Sequence, residues 1–514
     1  MRSIAFSALA IFASVLALAS GGQAAGLEGT WVRDDLDAAT LEAQPAKEQI
    51  LVVRKKGDKL AGKLVVPTLV GVPVTIEPQP GDTFRFTITM ARGMETPLDG
   101  SLQEDQLGVS AVGPGGQRQS TMMRRASPEE LAILERIEIK KIPTPAVKPL
   151  PPNGLARTPP MGWSSWNRFN VEIDDKTIRE IADAMVKTGM RDAGYVYVNI
   201  DDGWQGTRDA QGKLQPNEKF PDMKALADYV HERGLKLGIY TSPGPKSCAG
   251  YEGSYGHEEQ DAKTFAEWGV DYVKYDWCSA GLIYDDDEMP AVYQKMAEAM
   301  RATGRPMVYS ICQYGRAEVW KWGGDAGGNL WRTTGDIADL WPIMASIGFS
   351  QADIASYSAP GRWNDPDMLE VGNGRMAPGE YRTHMSLWAL LAAPLIAGHD
   401  VRTSSSETVQ TLTNPEVIEI DQDPLGQPGK RVAQRGALEI WTKPMKDGRL
   451  AVGLFNLGEE PAEVTATFAE LGLGESKRAM ARDVWKRMGF AADGRVSATV
   501  DPHGVVLLVL TPEE

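Results

Sequence analysis

Cysteine and histidine are scarce in this chain. Its 514 residues include three cysteines, Cys248, Cys278 and Cys312, and five histidines that are scattered along the sequence. No cysteine pair has the C-x-x-C spacing of a structural zinc site, so a zinc site is not expected. Because no nucleotide-binding motif is present either, we expect no cofactor. Three cysteines allow one disulfide bond and one free thiol, without indicating which two of them pair.

The chain also lacks an excess of positive charge. It has 54 lysine and arginine residues against 69 aspartate and glutamate residues, which gives a formal net charge of −15. Such a charge disfavours nucleic acid and anionic membrane surfaces as partners. The 14 tryptophans and 14 tyrosines favour a neutral, hydroxyl-rich ligand, although aromatic residues also fill protein cores.

Long apolar runs are missing after the first 24 residues. Those residues contain Arg2, an apolar stretch from Ile4 to Ala19 and the small-residue site Gly22-Gln23-Ala24, which is the pattern of a signal peptide. No later segment has the roughly 18 consecutive apolar residues of a membrane span, so membrane insertion is not expected. We predict export to the periplasm or the medium, where disulfide bonds persist.

Composition divides the rest of the chain into four parts. Residues 25–142 contain short β-rich runs typical of a small antiparallel barrel or sandwich, and Ser127-Pro128 predicts the start of a short helix. Residues 143–157 are a proline-rich linker, expected to be a semi-rigid spacer. Residues 158–426 alternate apolar strands with amphipathic helices. Residues 427–514 are again β-rich and are predicted to form a small antiparallel β-domain.

The alternation in residues 158–426 predicts βα units around a parallel sheet. A length of about 270 residues accommodates eight such units. An eight-fold (β/α)8 TIM barrel is the best match, and a doubly wound open sheet is the alternative. No G-x-G-x-x-G follows the first strand, which disfavours dinucleotide binding.

Polar and aromatic residues follow the predicted strands, at the end of a TIM barrel where chemistry takes place. In the segment D-Y-V-K-Y-D-W-C (271–278), Lys274 and Asp276 point to the same side of a strand, so the ammonium is expected to lower the pKa of Asp276. Any one such residue could instead cap a helix or fill the core, but their common position favours a site. The other candidates are Trp166, Asp201, Asp202, Tyr240, Cys312, Tyr314, Arg332, Asp336, Asp367 and Met368.

Carboxylates and aromatic side chains on one rim are typical of a glycosidase, which needs one carboxyl group as acid and another as nucleophile or base. Asp276 beside Lys274 is the predicted nucleophile. Asp336 is the predicted acid/base, and its pKa would have to rise through burial or through repulsion from ionised Asp276. Two other interpretations stay open: a non-catalytic carbohydrate-binding protein, and a metal-dependent lyase or isomerase that uses other rim aspartates.

Nine segments between Thr158 and Gly426 add specific motifs to this pattern. They are P-P-M-G-W-S-S-W-N-R-F (159–169), I-D-D-G-W (200–204), G-L-K-L-G-I-Y (234–240), C-A-G-Y-E-G-S-Y-G (248–256), W-G-V-D-Y-V-K-Y-D-W-C (268–278), N-L-W-R-T-T-G-D-I (329–337), P-G-R-W-N-D-P-D-M-L-E-V-G-N-G (360–374), A-P-L-I-A-G-H-D (393–400) and I-D-Q-D-P-L-G (420–426). In kind and in order they resemble glycoside hydrolase family 27, the α-galactosidases and α-N-acetylgalactosaminidases.

The resemblance implies a (β/α)8 barrel followed by an antiparallel β-sandwich, and a retaining double displacement that removes terminal α-D-galactose. It implies that Asp276 is the nucleophile and Asp336 the acid/base, and that Asp201 and Asp202 bind the galactose 4- and 6-hydroxyls. The other positions that match pocket residues of the family are Trp166, Tyr240, Lys274, Arg332, Asp367 and Met368.

The resemblance also implies a disulfide bond between Cys248 and Cys278, with Cys312 as a free thiol in the pocket wall. One segment departs from the family: many members read C-E-W after the fifth strand, where this chain reads C-Q-Y and ends on Tyr314. That segment lies near the 2-position of the sugar in the family. α-N-Acetylgalactosaminides and β-L-arabinopyranosides are therefore alternative substrates to α-galactosides.

Overall fold

The computed structural model describes residues 26–43, 50–56, 59–66, 70–89, 95–112, 117–137, 140–473 and 478–513. The predicted signal peptide, residues 1–24, lies outside these described residues. The chain forms two compact units. The first comprises Met1–Pro143, Gly244–Gly250 and Trp277–Asp286, and the second comprises Thr144–Pro243, Tyr251–Asp276 and Asp287–Glu514.

Antiparallel strands of the first unit form a closed barrel, one of the two forms that the sequence predicts for residues 25–142. The strands are β1 Gly29–Arg33, β2 Ile50–Lys56, β3 Lys59–Val66, β4 Val70–Gln79, β5 Thr83–Thr89, β6 Glu95–Gln103, β7 Gln106–Val112 and β8 Arg118–Arg125. Each strand pairs with the next, and β8 pairs back onto β1. Buried Trp31, Val53 and Phe86 lie in the interior, as alternating strand residues do when one face is closed off from water.

Two short helices accompany this barrel, Ala38–Ala43 and Pro128–Ile137. The second begins where the sequence indicates, immediately after Ser127. Glu130 N donates to Ser127 Oγ at 3.2 Å, and Ser127 N donates to Glu130 Oε2 at 2.7 Å. This reciprocal pair satisfies two backbone donors that the first helical turn leaves without partners.

The proline-rich residues 144–157 run without helix or strand. Their backbone is nevertheless hydrogen-bonded to the second unit: Lys148 N donates to Gln294 Oε1 at 2.9 Å, and Leu150 N donates to Asp325 O at 2.8 Å. Asn153 Nδ2 donates to Asn329 Oδ1 at 3.0 Å. The predicted spacer is therefore fixed along the second unit.

Parallel strands of the second unit form the TIM barrel that the sequence predicts. The strands, with a small hairpin of β11 and β12 between the second and third, are β9 Met161–Ser164, β10 Tyr197–Asn199, β11 Gln205–Arg208, β12 Leu214–Pro216, β13 Lys236–Thr241, β14 Tyr272–Asp276, β15 Val308–Cys312, β16 Leu330–Arg332, β17 Trp363–Asp365 and β18 Leu395–Ala397. Their spatial order is β17-β16-β15-β14-β13-β10-β9-β18. Leu369 closes the ring, because its N–H donates to Ile396 O at 2.7 Å and its carbonyl accepts from Gly398 N at 3.1 Å.

Helices follow these strands and bury their apolar faces against them. Asp175–Lys187 is typical: Asp174 caps it by accepting from Thr177 N, and Ile178, Ile181 and Met185 are buried. Gly269, with φ 89°, ends Glu258–Trp268 and turns the chain into β14. The helices are Trp166–Phe169, Asp175–Lys187, Met223–Glu232, Glu258–Trp268, Met289–Ala302, Trp341–Phe349, Pro378–Leu391, Ser406–Leu412 and Pro415–Asp421. Among the residues that the structure describes, none of the helices combines the length and apolar character that crossing a membrane requires.

The C-terminal part of the second unit is an antiparallel β-sandwich, as predicted. Its strands are β19 Lys430–Arg435, β20 Leu438–Pro444, β21 Leu450–Asn456, β22 Ala462–Thr467, β23 Arg478–Asp483, β24 Met488–Asp493, β25 Arg495–Val500 and β26 Gly504–Pro512. One sheet has the order β19-β20-β21-β26-β23-β24, and β22 with β25 forms the other. Residues alternate between buried and exposed along β23, and Leu454, Val464 and Leu508 lie in the core between the sheets.

Candidate active site

Parallel pairing brings the candidate residues to one rim of the TIM barrel. Lys274 of β14 is in register with Tyr240 of β13, and Asp276 with Cys312 of β15. Arg332 of β16 is in register with Asp365 of β17. All of these residues end, or nearly end, a strand, so their side chains are presented at the carboxyl end of the barrel, where loops shape a pocket.

The first group at this rim, the Lys274 cluster, consists of Lys274, Asp201 and Asp276. Lys274 Nζ lies 2.9 Å from Asp201 Oδ2 but 3.9 Å from Asp276 Oδ2. Burial alone would lower the pKa of Lys274, but attraction from Asp201 and the other acidic groups outweighs it and raises the pKa above its ordinary value. The lysine is therefore charged, and its close partner is Asp201.

The pKa of Asp276 differs from the sequence prediction. Its side chain is only 6% exposed, and burial raises its pKa to about 6, although Lys274 and a hydrogen bond from Tyr314 oppose the shift. The negative charges of Asp336 and Asp201 push the pKa in the same direction as burial. The expectation of a low pKa was wrong, because desolvation outweighs a cation 3.9 Å away.

The second group, the Arg332 cluster, consists of Arg332, Asp336 and Asp367. Arg332 Nη2 lies 2.9 Å from Asp336 Oδ1 and 3.0 Å from Asp367 Oδ2. The Asp367 side chain is 5% exposed, whereas that of Asp336 is 60% exposed at the mouth of the site. Burial raises the pKa of Asp367, which also accepts a hydrogen bond from Ile337 N at 2.8 Å.

The pKa of Asp336 also differs from the sequence prediction. Partial burial would raise its pKa, but Arg332 and Lys274 outweigh that effect and hold the pKa below its ordinary value. The expectation of a raised pKa was therefore wrong. It considered burial and Asp276 and did not include the arginine four residues earlier, whose guanidinium reaches the same carboxylate.

A cavity opens beneath the rim, and its lining includes Asp201 and Lys274 of the first cluster and Arg332 and Asp367 of the second. It is lined by Ser164, Asn199, Ile200, Asp201, Ile239, Tyr272, Lys274, Ser310, Arg332, Asp365, Asp367, Met368 and Ile396. Asp202 is buried beside Asp201 and donates its backbone N–H to Asp201 Oδ1 at 3.0 Å. The Tyr240 ring lies 5.2 Å from Lys274 Nζ. Several predicted site residues are not among the described residues that line this cavity: Trp166, Asp202, Tyr240, Asp276, Cys312, Tyr314 and Asp336. Trp166 begins the short helix after β9 and is partly exposed.

Asp365 is a cavity residue that the sequence pattern did not single out. It ends β17, its carboxyl group is buried, and Asp367 N donates to its Oδ1 at 2.9 Å. Burial raises the pKa of Asp365 to about 6, against the effect of Arg332. The available signal was its place in the strand-end segment N-D-P-D, two residues before Asp367.

The cysteines pair as the resemblance implies. Cys248 and Cys278 form a disulfide bond within the first unit, between the loops Gly244–Gly250 and Trp277–Asp286. Ser279 Oγ strengthens the same junction, since it accepts from Lys246 N at 2.9 Å and donates to Lys246 O at 2.7 Å. Cys312 is a buried free thiol 3.7 Å from Arg332 Nη1, and burial raises its pKa.

Two family models match the chain. Residues 158–423 match "Alpha galactosidase A", and residues 435–510 match "Alpha galactosidase C-terminal beta sandwich domain". An α-galactosidase of Oryza sativa is 50% identical over 70% of this chain and 86% of its own length. An α-N-acetylgalactosaminidase of Gallus gallus is 38% identical over 70% of this chain and 95% of its own length. Among solved structures, α-galactosidase I of Mortierella vinacea superposes with a TM-score of 0.68 at 35% identity, over 70% of this chain and 98% of that one.

Proposed function

The chain belongs to the α-galactosidases of glycoside hydrolase family 27, and from that premise we propose that it hydrolyses terminal α-galactosides by a retaining double displacement. The observation that supports the proposal most is that two carboxyl groups of the rim are linked through Tyr314 and Arg332. Tyr314 Oη donates to Asp276 Oδ1 at 2.7 Å, its ring lies 5.9 Å from the Arg332 guanidinium carbon, and Arg332 Nη2 donates to Asp336 Oδ1 at 2.9 Å. Two such groups on either side of a glycosidic bond are what a glycosidase requires.

In the first step, Asp276 attacks C1 of galactose. A bond forms between C1 and a carboxylate oxygen, the bond from C1 to the aglycone oxygen breaks, and Asp336 gives its proton to that oxygen. In the second step, Asp336 takes a proton from water as the water oxygen bonds to C1. Asp276 then leaves with the electron pair of its bond to C1, and the α-anomer is released.

The two clusters suit the nucleophile and base roles, whereas the acid role of Asp336 requires that bound substrate weaken its contact with Arg332, so that the carboxyl group takes up a proton. Asp276 must be ionised to attack, so turnover requires a pH near or above its pKa of about 6. In the covalent intermediate Asp276 is an ester and no longer repels the charge of Asp336. The pKa of Asp336 then falls again, so that Asp336 can act as the base of the second step.

We assign sugar binding to the groups around the cavity. Asp201 and Asp202 supply buried carboxylate acceptors for the galactose 4- and 6-hydroxyls, and Lys274, bonded to Asp201, supplies a donor. Asp367 and Arg332 extend this polar lining. The roles of the other predicted contacts follow the resemblance: apolar surface from Trp166, Tyr240 and Met368, and proximity to the 2-position from Cys312 and Tyr314.

A substrate panel tests the specificity. We expect hydrolysis of nitrophenyl α-D-galactoside, with lower kcat/KM for the α-N-acetylgalactosaminide and for the β-L-arabinopyranoside. These three substrates differ only in the 2-substituent and in the presence of the 6-carbon, so their ratio reports on the C-Q-Y segment (312–314) and on the 6-hydroxyl site. Preference for either alternative would overturn the substrate assignment and leave the mechanism in place.

A non-catalytic carbohydrate-binding protein is the rival from another class. Calorimetry with galactose, run beside the hydrolysis assay on the same preparation, separates the two. Turnover that is lost in Asp276→Ala supports the enzyme. Galactose binding by a protein that hydrolyses none of the three nitrophenyl glycosides would support the rival.

We also propose export to the periplasm or the medium, directed by residues 1–24. The supporting observation is the sequence pattern of Arg2, the apolar stretch and Gly22-Gln23-Ala24. Expression of the full chain, fractionation and N-terminal sequencing of the product test it. A mature protein that begins after residue 24 in the exported fraction is expected, and an uncleaved chain in the cell interior would contradict it.

A further inference from the structure

We propose that Tyr314 is a positioning residue for Asp276, whose hydroxyl fixes Oδ1 and leaves Oδ2 to attack the sugar. The proposal rests on the proposed function, because it presupposes that Asp276 is the nucleophile. It gives Tyr314 a role different from the sugar contact that the resemblance implies, and it attaches that role to the segment in which this chain reads C-Q-Y.

The two oxygens of Asp276 have different surroundings. Tyr314 Oη donates to Oδ1 at 2.7 Å, a short bond of the kind that a carboxylate accepts. Lys274 Nζ lies 3.9 Å from Oδ2, which is within ion-pair range but beyond hydrogen-bond distance. A carboxylate held at one oxygen by a directional donor has a fixed orientation, and its other oxygen is available for bond formation.

The backbone is bent to place this hydroxyl. Tyr314 has φ 63° and Gly315 has φ 75°, so two successive residues adopt the left-handed conformation. A Cβ at Gly315 would lie 2.1 Å from Thr333 O, so the turn depends on glycine there. A bulky residue with positive φ is strained, and such strain tends to occur at functional sites.

The Tyr314 ring also contacts the second cluster. Its centre lies 5.9 Å from the Arg332 guanidinium carbon, within the range of a cation–π contact. The ring thus lies between Asp276 and the arginine that pairs with Asp336. Arg332 therefore contacts the face of the Tyr314 ring, while the Tyr314 hydroxyl donates to Asp276.

The hydrogen bond also bears on the ionisation of Asp276. It favours the charged form, because the hydroxyl donates to the carboxylate. The pKa of Asp276 is raised by burial and lowered by Lys274 and then by Tyr314. The other titratable groups that interact with it are Asp336, Asp201, Tyr240, Tyr293 and Cys312. Removing only the Tyr314 hydroxyl leaves all of those groups in place, so a change in the pKa of Asp276 would report the loss of this hydrogen bond.

Tyr314→Phe tests the proposal by its pH profile. We expect kcat/KM on nitrophenyl α-galactoside to fall on the order of 10- to 100-fold, the effect of one hydrogen bond to a charged group. The acid limb of the profile, which reports on the free enzyme, should move to higher pH. The matched control is Tyr309→Phe. Tyr309 lies on the adjoining strand β15, and its buried hydroxyl donates to Tyr293 O at 3.0 Å. The acid limb of this control should coincide with that of the wild type.

A 2-deoxygalactoside separates positioning from sugar contact. If Tyr314 acts through Asp276, the loss in Tyr314→Phe persists on this substrate. An unmoved acid limb, or a loss confined to substrates with a 2-hydroxyl, would overturn the proposal while Asp276→Ala still shows the nucleophile to be essential. If the wild type hydrolyses none of these glycosides, the proposed function fails instead. In that case carbonyl-13C aspartate spectra, with Asp276 assigned by Asp276→Asn, still decide whether Tyr314→Phe raises its pKa.

Discussion

The Lys274 cluster and the Arg332 cluster have the same composition, one cation and two carboxylates, yet the pKa values of Asp276 and Asp336 shift in opposite directions. In the first, the cation bonds Asp201 at 2.9 Å and lies 3.9 Å from buried Asp276, whose pKa rises to about 6. In the second, the cation bonds both carboxylates; the pKa of buried Asp367 rises and that of exposed Asp336 falls. Burial and the choice of partner decide the direction; the number of charges does not.

This difference has a chemical consequence. In the proposed mechanism, the carboxylate with the weaker cation contact is the one that forms a bond to carbon, and a cation held closer would reduce its nucleophilicity. The carboxylate with the stronger contact is 60% exposed, which in the proposed mechanism gives it access to water and the aglycone. Removing one member of either cluster therefore tests which contact controls the pKa of each carboxylate.

Removal of the reacting carboxylates should have the largest effect. Asp276→Ala is expected to lower kcat on the order of 10⁵-fold, the scale seen when an enzyme loses its nucleophile. Added azide should then yield β-galactosyl azide from Asp276→Ala, and α-galactosyl azide from Asp336→Ala, because azide replaces a different group in each case. Product configuration is read by proton NMR. The same azide anomer from both variants would contradict the separation of roles.

Arg332→Met is expected to lower the stability of the folded protein more than any other change in the second cluster. It leaves buried Asp367 without its cation, so the free energy of unfolding is expected to fall by about 3–5 kcal/mol in denaturant titration. In the folded fraction the pKa of Asp336 should rise, which carbonyl-13C aspartate spectra measure. Arg332→Lys, which keeps a charge, is the control and should recover most of the stability. Equal losses in both variants would show that packing, not charge, holds this cluster.

Lys274→Met tests the first cluster in the same way. We expect kcat/KM to fall about 10²- to 10³-fold, the usual effect of removing a preorganised charge. The acid limb should move above its wild-type position near pH 6, because Lys274 lowers the pKa of Asp276. The control is Lys295→Met, which removes a lysine paired with Glu258 at 2.6 Å. If the acid limb of Lys274→Met does not move, the 3.9 Å contact has no electrostatic role.

The loop after the strand of the first cluster carries a covalent link, and its removal should have the smallest effect. The chain that leaves β14 enters the disulfide bond at Cys278, whose partner is 30 residues earlier in the sequence. Replacing Cys248 and Cys278 with serine should lower the free energy of unfolding by about 3 kcal/mol through added freedom of the unfolded chain. Reductant should lower the melting temperature of the wild type and leave the double variant unchanged. If reductant also lowers the melting temperature of the double variant, its effect on the wild type does not come from this disulfide bond.

Much of this site could be predicted from the sequence, because strand ends can be located by pattern. Parallel strands meet at one rim, so Asp201, Asp276 and Asp367 could be placed together before any distance was known. The directions of the pKa shifts of Asp276 and Asp336 could not be predicted from the sequence. Lys274 and Asp276 are two residues apart on one strand and point to the same side, but that spacing of about 6–7 Å along the strand leaves room for a closer partner.

The partners that decided the outcome come from distant parts of the sequence. Asp201 reaches Lys274 from 73 positions away, and Tyr314 reaches Asp276 from 38. Neither contact has a signature in local composition. Asp365 was passed over for a related reason: its burial, which raises its pKa, depends on packing around β17 that a strand-end motif does not reveal.

Covalent trapping tests the central assignment most directly. A fluorinated α-galactoside that slows the second step is incubated with the wild type, and the digested protein is analysed by mass spectrometry. We predict one added fluorogalactosyl group on the peptide that contains Asp276, with no adduct in Asp276→Ala. An adduct on another residue, or turnover of the reagent with release of the β-anomer and no adduct, would contradict the account.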